Sequence, residues 1–307
     1  MSSRSEIWPS LPLDAWADTY LTLHLWMQIV GKVRLKLAPF VNHWWETALY
    51  LSPRGLRTSN IPFGHQHFEV AFDFLDHGLT LENTEGVRRR MELRPRTVAD
   101  FYREFMALLK ELGVQTQIDP MPKEMPLPLV RLDQDETHSS YDREYAERHW
   151  RALEQISRPF EIFRGGFVGK SSPVHFFWGS FDLALTRFSG RPAPARAGAD
   201  HITQVGYSHE VISCGFWPGS GNIQEAAFYA YAAPEPADFP KARILPSAAF
   251  YNPPTYGFVL PYETVRKSSD PDGMILEFCQ STFDAAASLG NWDKDLQRKS
   301  FLMKRAA

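Results

Sequence analysis

Two carboxylates in the second half of this 307-residue chain stand among neighbours that suit charge poorly. Asp182 lies in Trp178-Gly179-Ser180-Phe181-Asp182-Leu183-Ala184-Leu185, and Glu210 lies in Tyr207-Ser208-His209-Glu210-Val211-Ile212. A charge in such company is costly unless paired. Each is therefore either half of a structural ion pair or a group held for ligand binding or proton transfer. His209 is the candidate beside them to shuttle a proton or orient a ligand. Read as strands with alternating faces, the sequence puts Asp182 with Phe176, Trp178, Ser180, Ala184 and Thr186. His209 then shares a side with Val211, Ser213 and Trp217, while Glu210 shares the opposite one with Ile212, Cys214 and Phe216. The chemistry implied is acid–base, carried by His209 and Asp182, with Trp178, Trp217 and Tyr229 as ligand contacts. Tyr231 adds a second aromatic face, Arg187 is placed to meet an anion near the strand end, and His175 and Glu210 complete the candidate set. In the first half, His24 and Gln28 are one turn apart on an apolar helix, with Lys32 a turn further on. They form either a hydrogen-bonded helix edge or the polar wall of a ligand pocket between helix and sheet.

Other signatures fail on spacing. Gly166-Phe167-Val168-Gly169-Lys170-Ser171 ends like a phosphate loop, but its first glycine is misplaced and it runs from helix to strand, the reverse of the required order. Gly206-Tyr207-Ser208-His209-Glu210 resembles a nucleophile elbow until Glu210 replaces the closing glycine. His209-Glu210 lacks the second histidine of a zinc-protease helix. His65, His67, Glu69 and Asp73 alternate along one strand as metal ligands can, yet the opposite face, Phe68, Val70, Phe72 and Phe74, reads as core, so this one reads as solvated. Cys214 and Cys279 are the only cysteines, with no zinc spacing, and read as reduced, packed thiols rather than nucleophiles. No metal is expected, and no pattern specifies a cofactor or an oligomeric state.

The elements that must position these residues follow from periodicity. Trp16, Tyr20, Leu23, Met27 and Val30 make one apolar stripe of a helix over 14–30. Trp45, Thr47, Leu49 and Leu51 share a face of a first strand, and Phe68–Leu75 and Leu79–Glu82 form a hairpin about Asp76-His77-Gly78, followed by a strand from Val87 to Leu93. Thr97 with Asp100 caps a closing helix that Gly113 ends. The sequence then repeats this order: a helix over 141–163, strands at 174–188, 207–217, 226–232 and 256–260, and a last helix begun by Asp270-Pro271 and stopped by Gly290. The prolines at 120, 122, 126 and 128 mark an extended connector.

The halves match beyond element order. Gly31-Lys32 answers Gly169-Lys170, Pro39 with His43-Trp44-Trp45 answers Pro173 with His175-Phe176-Phe177, and Leu112-Gly113 answers Leu289-Gly290. The expectation is an α+β fold of two similar halves, each helix, antiparallel sheet and helix, duplicated and packed about a pseudo-twofold axis. The boundaries expected are 1–118, a connector at 119–140, and 141–307 with long loops at Gly190–Gly198 and Ala233–Pro254. The blocks Thr22-Leu23-His24-Leu25-Trp26, Gln28-Ile29-Val30-Gly31-Lys32-Val33-Arg34, Ser172 to Leu183, Tyr207-Ser208-His209-Glu210-Val211 and Gly215-Phe216-Trp217-Pro218-Gly219 resemble an uncharacterised family, domain of unknown function 5996. The resemblance runs from Trp8 to about Trp292 and implies no activity, cofactor or catalytic residue.

A net charge of −3 with interleaved signs leaves no basic footprint for nucleic acid or an anionic membrane surface. The start Met1-Ser2-Ser3-Arg4-Ser5-Glu6 has no secretory pattern, and no apolar run reaches the ~20 residues that span a bilayer, so a cytoplasmic protein is expected. The function expected is small-molecule binding in an aromatic-lined pocket of the second half at its junction with the first, with acid–base catalysis left open. The alternative is a non-catalytic protein–protein interaction protein whose aromatic and Pro-rich second half is a partner surface.

Overall fold

Residues from Ala17 to Leu37 form helix α1 in the computed structural model of the protein, which describes residues 7–125, 130–196, 198–255 and 257–296. The sequence suggests one apolar stripe, but every residue from Thr22 to Arg34 is buried. A helix with so few polar positions is covered on all sides rather than laid on one surface. Trp26 stacks on Phe101 at 4.8 Å, and His24 and Gln28 face the loop at 178–179.

Two compact units divide the chain. Among the described residues the N-terminal unit holds those within 11–151 and 176–181, and the C-terminal unit those within 7–10, 152–175 and 182–296. Pro120 and Pro122 of the expected connector fall in the N-terminal unit, while Pro126 and Pro128 lie outside the described residues.

In the N-terminal unit α1 is followed by β1 (Tyr50–Ser52), β2 (Gly55–Arg57), β3 (Ile61–Phe63), β4 (Gln66–Asp73), β5 (Gly78–Asn83) and β6 (Arg88–Glu92), then α2 (Val98–Glu111). The antiparallel order is β1–β2–β4–β5–β6, with β3 also on β4. Phe68, Val70, Phe72 and Phe74 are buried as their alternation requires, and Thr97 accepts from the Asp100 amide as the cap of α2. The expected first strand begins later. Residues Asn42–Thr47 form a 3-10 turn with His43 and Trp44 left-handed, because Glu46 accepts from the Val41 amide and the Thr47 hydroxyl donates to the Trp44 carbonyl. Such local bonds compete with a strand ladder.

Helix α3 (Arg143–Gly165) contains the division between the units, at Arg151/Ala152. In chain order β7 (His175–Phe177), β8 (Asp182–Pro192), α4 (His201–Gly206), β9 (His209–Trp217), β10 (Ala227–Ala233), β11 (Phe250–Asn252), β12 (Gly257–Pro261), α5 (Tyr262–Lys267) and α6 (Pro271–Leu289) follow. The second sheet is antiparallel, β11–β12–β10–β9–β8, with β7 as its sixth strand. Asp270 caps α6 by accepting from Gly273, with Pro271 at the first turn. The strand expected over 174–188 is broken: residues 178–181 turn, with Phe181 at φ 56, and β8 starts at Asp182. Tyr256, expected to start the last strand, lies outside the described residues. The protein is thus α+β, two similar halves with an antiparallel sheet of six strands in each. No helix among the described residues is long and apolar enough to cross a membrane.

Candidate functional site

Strand register in the C-terminal unit builds one polar and aromatic face. Ala184 and Tyr229 both pair with Gly215, and Ala227 pairs with Trp217. Side chains two apart share a face. Asp182 and Thr186 from β8, Ser213, Gly215 and Trp217 from β9, and Tyr229 and Tyr231 from β10 therefore emerge on the same side. Tyr229 on β10 donates its hydroxyl to Asp182 on β8, reaching across the strand between them. Adjacent strands are about 4.8 Å apart, so the phenol must lie over β9 to do so. It can, because residue 215 is glycine: a Cβ there would overlap the end of the Tyr229 ring.

The hydroxyls continue beyond Asp182. Tyr231 and Tyr207 share a hydrogen bond at 2.9 Å, and Thr186 and Ser213 another at 2.9 Å. Asp182 is 6% exposed, whereas Trp217, Tyr229, Tyr231 and Tyr207 are half-buried. Burial first, then the Asp182 charge, pushes the Tyr229 phenol well above its ordinary range; burial and Tyr207 do the same to Tyr231. Both are therefore neutral O–H groups at physiological pH.

The structure brings Asp182, Tyr229 and Trp217 together. His209 is on the same side of β9 but eight positions from Trp217, about 26 Å along a strand, so it cannot exchange a proton with Asp182. Its neighbours are Pro192 in register and the Ser208 hydroxyl at 3.2 Å. Glu210 is the structural half of an ion pair, held by Arg191 at 2.7 Å and by the Ser189 hydroxyl at 2.8 Å. Arg187, expected to meet an anion, is 1% exposed among the rings of Phe163, Phe167 and Phe283, and donates to the Phe163 carbonyl. Alternation places it on the face of β8 opposite Asp182. His175 is fully buried at the start of β7.

Trp178, His24 and Gln28 belong to the N-terminal unit, and the turn at 178–181 ends the alternation that grouped Trp178 with Asp182. Gln28 donates to the Trp178 carbonyl at 3.2 Å, a His24 ring nitrogen meets the Gly179 carbonyl at 3.2 Å, and the Trp178 indole donates to Thr47 at 2.9 Å. The indole occupies the space beside Gly31 that a Cβ would fill. Lys32 stands 5.9 Å from the Trp178 ring and 3.0 Å from Glu124. Burial pushes His24 down to about 4, so it is neutral at physiological pH. These residues anchor the turn, the hydrogen-bonded helix edge among the two readings.

Gly215, Tyr207 and Ser213 join this face although they are not among the site residues expected from the sequence. The available signal was a glycine in mid-strand, which marks a close approach. His67 and Glu69 line the solvated face of β4, where Glu69 pairs with Arg57 and Asp73 with Arg54. Among the described residues no group of three histidine, cysteine or acidic side chains is placed to hold a metal ion.

Neither a curated protein nor a solved structure matches the chain. A family model does match residues 8–299, nearly its whole length, and by that match the protein belongs to the family of unknown function DUF5996.

Proposed function

We propose that the protein binds a small molecule on the Asp182–Tyr229 face of the C-terminal sheet. The observation that carries this is a desolvated carboxylate bonded to a neutral phenol beside half-buried aromatic rings. A core would bury those rings fully, and an ordinary solvated face would not carry them. Asp182, already accepting the Tyr229 hydroxyl, can take a proton or a hydrogen bond from a bound group, so the reading covers a binding protein and an acid–base enzyme alike. His209 has no part in it. The buried free thiols Cys214 and Cys279 support a reducing, cytoplasmic setting, and the shared element order supports an internal duplication.

The test is a thermal-shift screen of a broad metabolite library against the parent, Asp182→Asn and Tyr229→Phe. Asparagine still accepts the Tyr229 hydroxyl, so the unliganded Asp182→Asn protein should unfold within about 1 kcal/mol of the parent while losing the hits. A loss of about 3–5 kcal/mol would instead mark Asp182 as half of a buried ion pair. Hits that persist in both variants, or a library without hits, would remove the face as a ligand site.

A further inference from the structure

The geometry points to a small organic cation, an alkylammonium or quaternary ammonium group, as the ligand class of the Asp182–Tyr229 face; this rests on the small-molecule reading above. Four rings form a row: Trp217 and Tyr229 at 5.5 Å, Tyr229 and Tyr231 at 6.0 Å and nearly parallel, Tyr231 and Tyr207 at 6.2 Å. All four are half-buried, so their combined surface is both desolvated and reachable. The face of an aromatic ring is electron-rich and attracts a cation, more strongly as water is excluded.

Charge favours the same class. Asp182 lies at the Trp217 end of the row, and its negative field attracts a cation and repels an anion. The hydrogen bond from Tyr229 pushes electron density from the phenol oxygen into the ring, which deepens the negative potential of the ring face. Neither effect requires Asp182 to contact the ligand. At the other end the row already holds a cation: the Arg196 guanidinium lies 4.3 Å from the centre of the Tyr207 ring. The cation of Arg187 is on the opposite face of the sheet and enclosed, so it does not favour anions here. A ligand with an ammonium group over Tyr229 and an apolar body along Trp217 or Tyr231 uses every feature of the row.

The experiment compares choline with its uncharged isostere, in which carbon replaces the quaternary nitrogen, by proton NMR titration of the full chain. Ring currents should move the choline methyl resonances upfield, and choline should bind about tenfold more tightly than the isostere. Tyr229→Phe, which keeps the ring but breaks its bond to Asp182, should reduce that preference severalfold; Trp217→Phe serves as a second variant if the first melts early. Equal binding of the isostere would overturn the cation assignment and leave an apolar site. So would an unchanged preference in the variants, or the absence of choline binding. Library hits that are neutral or anionic and still depend on Tyr229 would keep the small-molecule reading while removing the cation. A library without any hit that depends on Tyr229, together with no binding of choline, would end both.

Discussion

The contact between Tyr229 and Asp182 depends on an atom that residue 215 lacks, and a single methyl group tests the dependence. In Gly215→Ala the new Cβ overlaps the Tyr229 ring, which must swing off β9 and release Asp182. Overpacking of this kind costs about 1–3 kcal/mol, and the loss should largely vanish when Tyr229→Ala removes the ring. A double-mutant cycle in denaturant measures that coupling. Burial acts differently on His149, which is fully enclosed against Phe181 at 5.1 Å and Trp16 at 5.3 Å, with neither ring nitrogen hydrogen-bonded. Desolvation pushes it from 6.5 down to about 3. Its folded value is below its unfolded one, so the unfolded chain takes up the proton that the folded chain refuses. Stability is intact above about pH 6.5 and falls between there and pH 3, by up to about 5 kcal/mol. His24 contributes in the same direction down to about pH 4. His149→Phe removes two bare nitrogens, so it should match or exceed the parent at neutral pH and lose less on acidification. Unfolding free energies at neutral pH and at about pH 4 decide this; an equal acid loss would mean that His149 is not responsible.

Helices and strands were the most legible scale where their signals were local. The Thr97 and Asp270 caps and the buried side of β4 follow from residues within a few positions of one another. The 3-10 turn at Asn42–Thr47 defeats the same reasoning, because the apolar spacing of Trp45, Thr47 and Leu49 suits a strand while Glu46 and Thr47 bond the backbone into a turn. Helix α1 shows how a distant residue reverses a local rule. Alanine is the better helix former by about 1 kcal/mol, so propensity alone makes Gly31→Ala stabilising. The Trp178 indole occupies that space, and the substitution should instead lower the thermal midpoint. It should also disturb the indole bond to Thr47, visible as a shift of the Trp178 indole proton resonance. A midpoint at or above that of the parent would mean that Trp178 yields without cost.

At the scale of the whole molecule, the first described residues serve the C-terminal unit. Trp8 is 3% exposed, lies 6.3 Å from the Tyr262 ring, and gives its carbonyl to Arg266, while Tyr262 donates to Pro9. Trp8→Ala should cost about 3–5 kcal/mol, and a fragment beginning at residue 141 should melt earlier than the same unit in the full chain; calorimetry on both checks this. Periodicity and capping by themselves determined that the chain alternates helices with antiparallel strands twice, which face of β4 points inward, and that Asp182, Trp217 and Tyr229 were worth watching. They did so because these properties depend on residues a few positions apart. Tertiary structure alone decided that Trp8 joins the C-terminal unit and Trp178 the N-terminal one, that Arg187 is enclosed by three phenylalanines, and that Asp182 meets Tyr229 rather than His209. Those outcomes turn on strand register and on gaps such as Gly215 and Gly31, where a missing side chain becomes meaningful only when a ring from far along the chain fills its place.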